Sequence, residues 1–104
     1  FLFEALCVRD LRIYAQSFGG ELYYYQDYQN NEIDAVIEMP DGSWSGFDIK
    51  LGAHQIDVAA EGLKRISAKF EKPATSLCVI CGLSGAAYTR EDGVIVAPLT
   101  ALRP

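Results

Sequence analysis

Glu32-Ile33-Asp34-Ala35-Val36-Ile37 and Phe47-Asp48-Ile49-Lys50-Leu51 are two alternating segments on either side of a turn, Pro40-Asp41-Gly42. Alternation at period 2 marks a β-strand and sends successive side chains to opposite faces. Asp48 and Lys50 therefore share a face. A hairpin is predicted over 32–39 and 43–51. Its register follows from the apolar positions. Ile33, Ala35 and Ile37, with Phe47, Ile49 and Leu51, are expected on one buried face, because a one-residue slip would expose one set. Facing positions then have numbers that sum to an even value, and the loop holds an odd number of residues. The loop Pro40-Asp41-Gly42, with Gly42 left-handed beside a bulge, satisfies this. Closure by Asp41-Gly42 alone would separate Asp34 from the other charges and fails the apolar test. The favoured parity gathers Asp34, Asp48 and Lys50 on the opposite face. Two carboxylates and an ammonium in one patch can hold a divalent metal and activate a water.

Outward from this hairpin the chain divides cleanly. Phe3, Cys7, Leu11, Tyr14 and Phe18 recur at three- and four-residue spacing and predict a helix over 2–18, stopped by Gly19-Gly20. Residues 21–26, rich in tyrosine, read as a strand, and 27–31 as a polar turn. An amphipathic helix is predicted over 55–70, with Ile56, Ala60, Leu63, Ile66 and Phe70 as its apolar stripe. The continuous apolar run 76–82 suits a strand covered on both faces. Weaker strands near 87–90 and 93–97 flank Glu91-Asp92-Gly93, and 98–102 reads as a helical turn. The second helix is long enough to carry the chain across to a parallel strand. The expected architecture is an α/β sandwich with a mixed sheet.

Length and composition set the outer bounds. The 104 residues suffice for one domain with one core. Half of them are hydrophobic and 22% charged, which excludes a disordered chain. A net charge of -5 argues against generic, autonomous nucleic-acid binding, which needs a basic surface. It leaves open a site that meets phosphate through a metal. No apolar run is long enough to span a membrane, and no signal peptide is visible. Cys78 and Cys81 have C-x-x-C spacing but fall in a strand, where they point to opposite faces. With Cys7 they are expected to be buried thiols of a reducing, cytoplasmic setting. The chain opens at Phe1 without an initiator methionine, and is expected to be a piece of a longer protein.

The order of elements, with an acid in the first helix, an aspartate in the second strand and D-x-K in the third, resembles the PD-(D/E)XK nuclease superfamily. More narrowly, the chain looks like the C-terminal domain of a group of bacterial and archaeal AAA+ type ATPases. The matching segments are Phe3-Glu4-Ala5-Leu6-Cys7-Val8-Arg9-Asp10-Leu11-Arg12, Asn31-Glu32-Ile33-Asp34-Ala35-Val36, Phe47-Asp48-Ile49-Lys50-Leu51-Gly52, and Asp92-Gly93-Val94-Ile95-Val96-Ala97-Pro98-Leu99-Thr100-Ala101-Leu102. The resemblance implies a single domain over 1–104 with a restriction-endonuclease-like αβββαβ core: a mixed central sheet flanked by two main helices. It implies Asp34 as a metal-bridging carboxylate, Asp48 as a second ligand and the Ile49 carbonyl as a third, for Mg²⁺ or Mn²⁺. Lys50 would steady the attacking water or the developing phosphate charge. Glu4 would support the metal or a water, and Gln55 would sit beside the lysine. The second acidic position is often glutamate in that superfamily, and Asp48 has the shorter reach. Ile33-Asp34 also replaces the literal Pro-Asp.

The implied partners are an upstream ATPase domain, which alone would bind ATP, and nucleic acid; a homo-oligomer is compatible and a membrane is not. Two functions compete. One is a metal-dependent nuclease-like domain that hydrolyses or binds phosphodiesters. The other is a catalytically inactive module with the same fold, docked on the ATPase or another protein and marked by an exposed apolar patch. A weaker third is a purely structural domain with a salt bridge centred on Lys50. Plainer readings exist for individual residues. Asp34 alone suits a solvated hairpin face, and Asp48 with Lys50 an exposed ion pair contributing about 0–1 kcal/mol. Glu4 shares a helical side with Val8 and Leu11, where a carboxylate needs a partner. His54 is expected to be exposed, Arg9 and Arg12 to face solvent, and Trp44 to be partly exposed beside the turn, where it could mark contact with another domain. Tyr23, Tyr24, Tyr25 and Tyr28 suit either a half-wet strand or base stacking.

Overall fold

Cys7, Leu11 and Ala15 recur every four residues and form the buried line of α1 (Leu2–Ser17). The helix ends where Gly19 takes a φ of 76°, and the Gly19 and Gly20 N–H groups return to the carbonyls of Gln16 and Ala15. These are the paired bonds of a glycine-terminated helix. The computed structural model describes residues 2–82 and 85–99. After α1 come β1 (Glu21–Gln26), β2 (Glu32–Glu38) and β3 (Trp44–Lys50). A short 3₁₀ turn (Ala53–Gln55) leads into α2 (Ile56–Ser67), followed by β4 (Ser76–Cys81), β5 (Tyr88–Thr89) and β6 (Ile95–Ala97). The turn expected at 98–102 falls largely outside the described residues, which end at Leu99.

The strands form one mixed sheet in the order β1-β2-β3-β4-β6-β5. β2 pairs antiparallel with both β1 and β3, β3 runs parallel to β4, β4 runs parallel to β6, and β5 pairs antiparallel with β6. The α/β architecture expected of the sequence is therefore present, with a six-stranded sheet and two helices. The β2–β3 register also agrees with expectation. Ala35 faces Phe47 and Ile37 faces Ser45, and Gly42 closes the loop at a φ of 86°.

Helices cover both faces of the sheet, so there are two cores. On the α2 side, Ile33, Trp44, Ala60, Leu63, Ile66, Val79, Cys81, Val94 and Val96 pack together. On the α1 side the core is Cys7, Leu11, Ala35, Ile37, Phe47, Ile49, Cys78 and Ile80. Cys78 and Cys81 do lie in opposite cores, as free buried thiols.

This two-sided burial corrects the single apolar face expected of the hairpin. Ile33 belongs to the α2 core, whereas Ala35 and Ile37 belong to the α1 core. The cause is a bulge in β2. Tyr23 pairs with Val36 and Tyr25 with Ile33, so Asp34 and Ala35 together oppose Tyr24. The extra residue shifts the alternation by one position. This bulge at Asp34 is a second one, additional to the one expected beside Gly42, where the Met39 N–H bonds to the Ser43 carbonyl and the Gly42 N–H to the Met39 carbonyl. Leu51 is 59% exposed, because β3 ends at Lys50. Phe18 is 56% exposed, its expected place at the end of the α1 stripe being held by Ala15.

Candidate functional site

Asp48 is the one charged residue among the described residues whose side chain is buried. It sits near the end of β3, opposite Val79 of β4, and Lys50 is opposite Cys81. Val79 and Cys81 belong to the α2 core. In-register neighbours share a face of a sheet, so Asp48 and Lys50 both point to the α2 side.

Asp34 reaches the same corner by way of the bulge. Its Oδ2 accepts a hydrogen bond from the Ile49 N–H at 2.8 Å. In return its own N–H donates to Asp48 Oδ1 at 3.3 Å. Each aspartate thus caps the backbone of the opposite strand where β2 and β3 part. The two carboxylates are held as neighbours by backbone donors, with no ion pair to either among the described residues. Burial pushes the Asp48 carboxyl up to about 6, and the charge of Asp34 adds to that rise; the Asp34 N–H and Lys50 oppose it.

The remaining predicted residues lie around this pair rather than on it. Lys50 is half-buried and lowers the Asp48 carboxyl through its charge, without forming an ion pair among the described residues. The salt bridge centred on Lys50 is therefore not formed among the described residues. Ile49 is buried, with its N–H engaged by Asp34. Glu4 is exposed in the first turn of α1. The argument that a packing face forces a partner on Glu4 does not hold, because α1 buries the line Cys7–Leu11–Ala15 and leaves Glu4 beside it. Gln55 is exposed, and its Oε1 accepts from the Gly52 N–H at 3.2 Å, so it closes a local turn. His54, Arg9 and Arg12 are exposed as expected.

Two aromatic residues depart from expectation. Trp44 is buried, not half-exposed: its indole N–H donates to the Lys72 carbonyl at 2.8 Å, and its ring packs 5.0 Å from that of Phe70. Tyr24 joins the acidic corner. Its hydroxyl donates to Glu32 Oε2 at 2.5 Å. That bond raises its pKa first, followed by burial and the charges of Glu32, Asp34 and Glu4. Glu32 and Tyr24 were not predicted as members of the site. No local signal in the sequence marks them, because the bulge that places Asp34 is set by how β1 aligns against β2.

The chemistry of the donors suits a hard divalent cation. Two carboxylates lie side by side, and Mg²⁺ commonly takes only one or two carboxylates, completing its shell with water and phosphate oxygen. Among the described residues no group of three or more histidine, cysteine or acidic side chains is arranged around a common centre. A fully protein-built cage is therefore not what this corner offers. No described helix is long and apolar enough to cross a membrane.

No curated protein and no solved structure matches the chain. A family model does, that of a domain of unknown function, DUF4143, over residues 1–102. With nearly its whole length matched, the chain belongs to the DUF4143 family.

Proposed function

We propose that the chain is a PD-(D/E)XK-type domain whose Asp34–Asp48–Lys50 corner binds a divalent cation and engages a nucleic-acid phosphodiester. The observation that carries this reading is the reciprocal bonding of Asp34 and Asp48, which holds two carboxylates together at 8% exposure of Asp48. Close like charges in a partly buried place are costly, and a cation offsets that cost. The corner also lies at the carboxyl end of β3, where the chain crosses over α2 to the parallel strand β4; open α/β sheets place ligands at such ends.

Asp34, Asp48 and the Ile49 carbonyl would hold Mg²⁺ or Mn²⁺, which when bound would polarise the phosphate and lower the pKa of a water. The chain's own contribution is positional. The bulge aims Asp34 at β3, the Ile49 and Asp34 N–H groups orient the carboxylates, and Lys50 supplies a positive charge to a phosphate oxygen. Glu32, bonded by the Tyr24 hydroxyl, adds a further negative charge beside the pair. The resemblance to ATPase C-terminal domains puts an upstream ATPase in the same proposal, as the ATP-binding partner in a longer chain.

The test combines metal binding with cleavage. Mn²⁺ is expected to broaden the amide signals of Asp34, Asp48 and Ile49 selectively, and Asp48→Ala to abolish that broadening. Mg²⁺-dependent cleavage of DNA or RNA is expected to be lost in Lys50→Ala with the fold retained. Uniform broadening, or cleavage unchanged in both variants, rejects the reading.

A second reading is favoured by a different observation. On the α1 side an open cavity of about 480 Å³, lined by Phe18, Ile37, Met39, Phe47, Cys78 and Ala97, remains beside α1. It suits a non-catalytic module docked on an ATPase domain. Loss of ATPase association on Phe18→Asp, with no response to Mn²⁺, would favour this reading over the first.

A further inference from the structure

The free edge of the sheet at β1 combines three features that the acidic corner does not use. β1 is the terminal strand and pairs only with β2 among the described residues. Its sequence, Glu21-Leu22-Tyr23-Tyr24-Tyr25-Gln26, contains no lysine or proline, the residues that usually guard an edge against strand addition. Tyr23 and Tyr24 are 46% and 58% exposed along it.

Beside this edge, on the α2 side, lies a cavity of about 310 Å³. Its walls include the rings of Tyr23, Tyr25, Trp44 and Phe70, and its rim carries Glu38 and Glu71. Phe70 joins the aromatic wall, with its ring 5.3 Å from Tyr25 and 5.0 Å from Trp44. Aromatic faces beside carboxylates are the setting in which an ammonium or guanidinium is held.

Charge on the edge points the same way. Glu21 and Glu38 face each other directly across β1 and β2. Like charges in facing positions destabilise a sheet. Tyr23 donates its hydroxyl to Glu21 at 2.6 Å, and no described cation pairs with Glu21, Glu38 or Glu71. Lys72, the cation on the cavity wall, has its ammonium beside Gly42 of the hairpin loop, 3.7 Å from where a Cβ there would stand.

We propose that β1 and the Tyr23–Tyr25–Trp44–Phe70 cavity form a docking surface for an extended basic segment of a partner protein. The segment adds a strand to β1 through its backbone, and an arginine or lysine side chain enters the cavity between Glu38 and Glu71. Backbone pairing supplies affinity and the alternate side chain supplies selection. A second copy of this chain is the poorer occupant, because it would bring a further net charge of -5 to an acidic edge.

Trp44 is the only tryptophan and lines the cavity, so its emission reports occupancy directly. The probe is a short peptide alternating arginine and valine. Controls are the same peptide with glutamate in place of arginine, and one N-methylated at alternate residues to block strand pairing. The arginine peptide is expected to change Trp44 emission saturably and to shift the amide signals of β1. Glu38→Lys, which places a cation opposite Glu21 and so spares the sheet, is expected to weaken binding at least ~10-fold. Glu71→Lys serves as a second variant with the same expectation. Equal binding of the acidic or N-methylated peptide overturns the proposal. So does unchanged affinity in both variants, or no change at Trp44 and β1 at millimolar peptide.

Discussion

Asp48 costs the fold stability at neutral pH, and the sign of that cost is testable. Its carboxyl is raised to about 6 from an ordinary value of 3.8, by burial first and by Asp34 second. A raised carboxyl means that the folded state holds the proton more tightly than the unfolded state. The protonated form therefore favours folding, and stability falls as pH rises from below 3.8 through 6. The difference corresponds to at most about 3 kcal/mol. Asp48→Asn keeps an acceptor for the Asp34 N–H and removes the charge. It is expected to raise stability at pH 7 by ~1–3 kcal/mol and to leave it unchanged at pH 3, as read by urea denaturation. A loss of stability at pH 7 would mean that the carboxylate is already compensated. Millimolar Mg²⁺ is expected to stabilise the wild type and not the variant, because binding to the folded state shifts the unfolding equilibrium. At this scale the sequence was partly legible. The pairing of Asp48 with Asp34 followed from parity, whereas the backbone donors that hold them depend on where β2 and β3 separate.

Between elements, two devices fix how neighbouring segments meet. The first is the loop after β2. The Met39 N–H donates to the Ser43 carbonyl, the Gly42 N–H to the Met39 carbonyl, and Asp41 accepts from both the N–H and the hydroxyl of Ser43. Gly42 needs its left-handed φ of 86°, and a Cβ there would meet only the Lys72 ammonium at 3.7 Å. Gly42→Ala is therefore expected to cost about 1 kcal/mol through backbone strain, and Gly42→Asn less, as read by thermal denaturation. The second device joins α2 to the β5–β6 hairpin. Lys64 pairs with Asp92 at 3.0 Å, and Arg90 pairs with both Asp92 and Asp57. Hydrogen bonds from Arg90 and then Lys64 hold the Asp92 carboxyl well below the usual carboxylate range. A depressed carboxyl contributes stability above its unfolded pKa, and that stability is lost as pH falls through the folded value. The protection of the Val94 amide, whose N–H donates to Asp92, is expected to fall at acid pH when exchange is compared with the intrinsic rate at each pH, and Asp92→Asn to show the lower protection already at pH 7. Helix and strand bounds were legible to within about three residues, because periodicity carries them. The bulge at Asp34 was not, because it depends on how β1 aligns against β2.

Across the whole molecule, one sheet carries two cores that share no side chains. Trp44 belongs to the α2 core, and Cys7 and Cys78 to the α1 core. Burial pushes the two thiols up to about 11 and about 12, so they stay protonated and inert at neutral pH. Because every strand of the sheet is bonded to its neighbour, the cores are expected to melt together. Loss of blue-shifted Trp44 emission and exposure of Cys7 and Cys78 to a thiol reagent should show one common midpoint in urea. Separate midpoints would mean that the α1 face opens on its own, as an unfilled cavity on that face would favour. Leu63→Ala in the α2 core is expected to cost ~2–5 kcal/mol and to move both signals equally.

The sequence by itself determined the strands, the two helices, the mixed sheet and the loop parity. Each of these rests on local spacing: period 2, period 3.6, the Gly42 turn, and a helix long enough to cross between parallel strands. Tertiary structure alone decided the rest. Residues far apart in the chain had to meet before the bulge could send Ile33 and Ile37 to opposite cores. The same meeting leaves Glu4 in solvent, buries Trp44 under Phe70, and brings Tyr24 and Glu32 to the edge of the Asp34–Asp48 pair. Alternation tells which side chains share a face of one strand. Only pairing with the next strand tells where that alternation breaks.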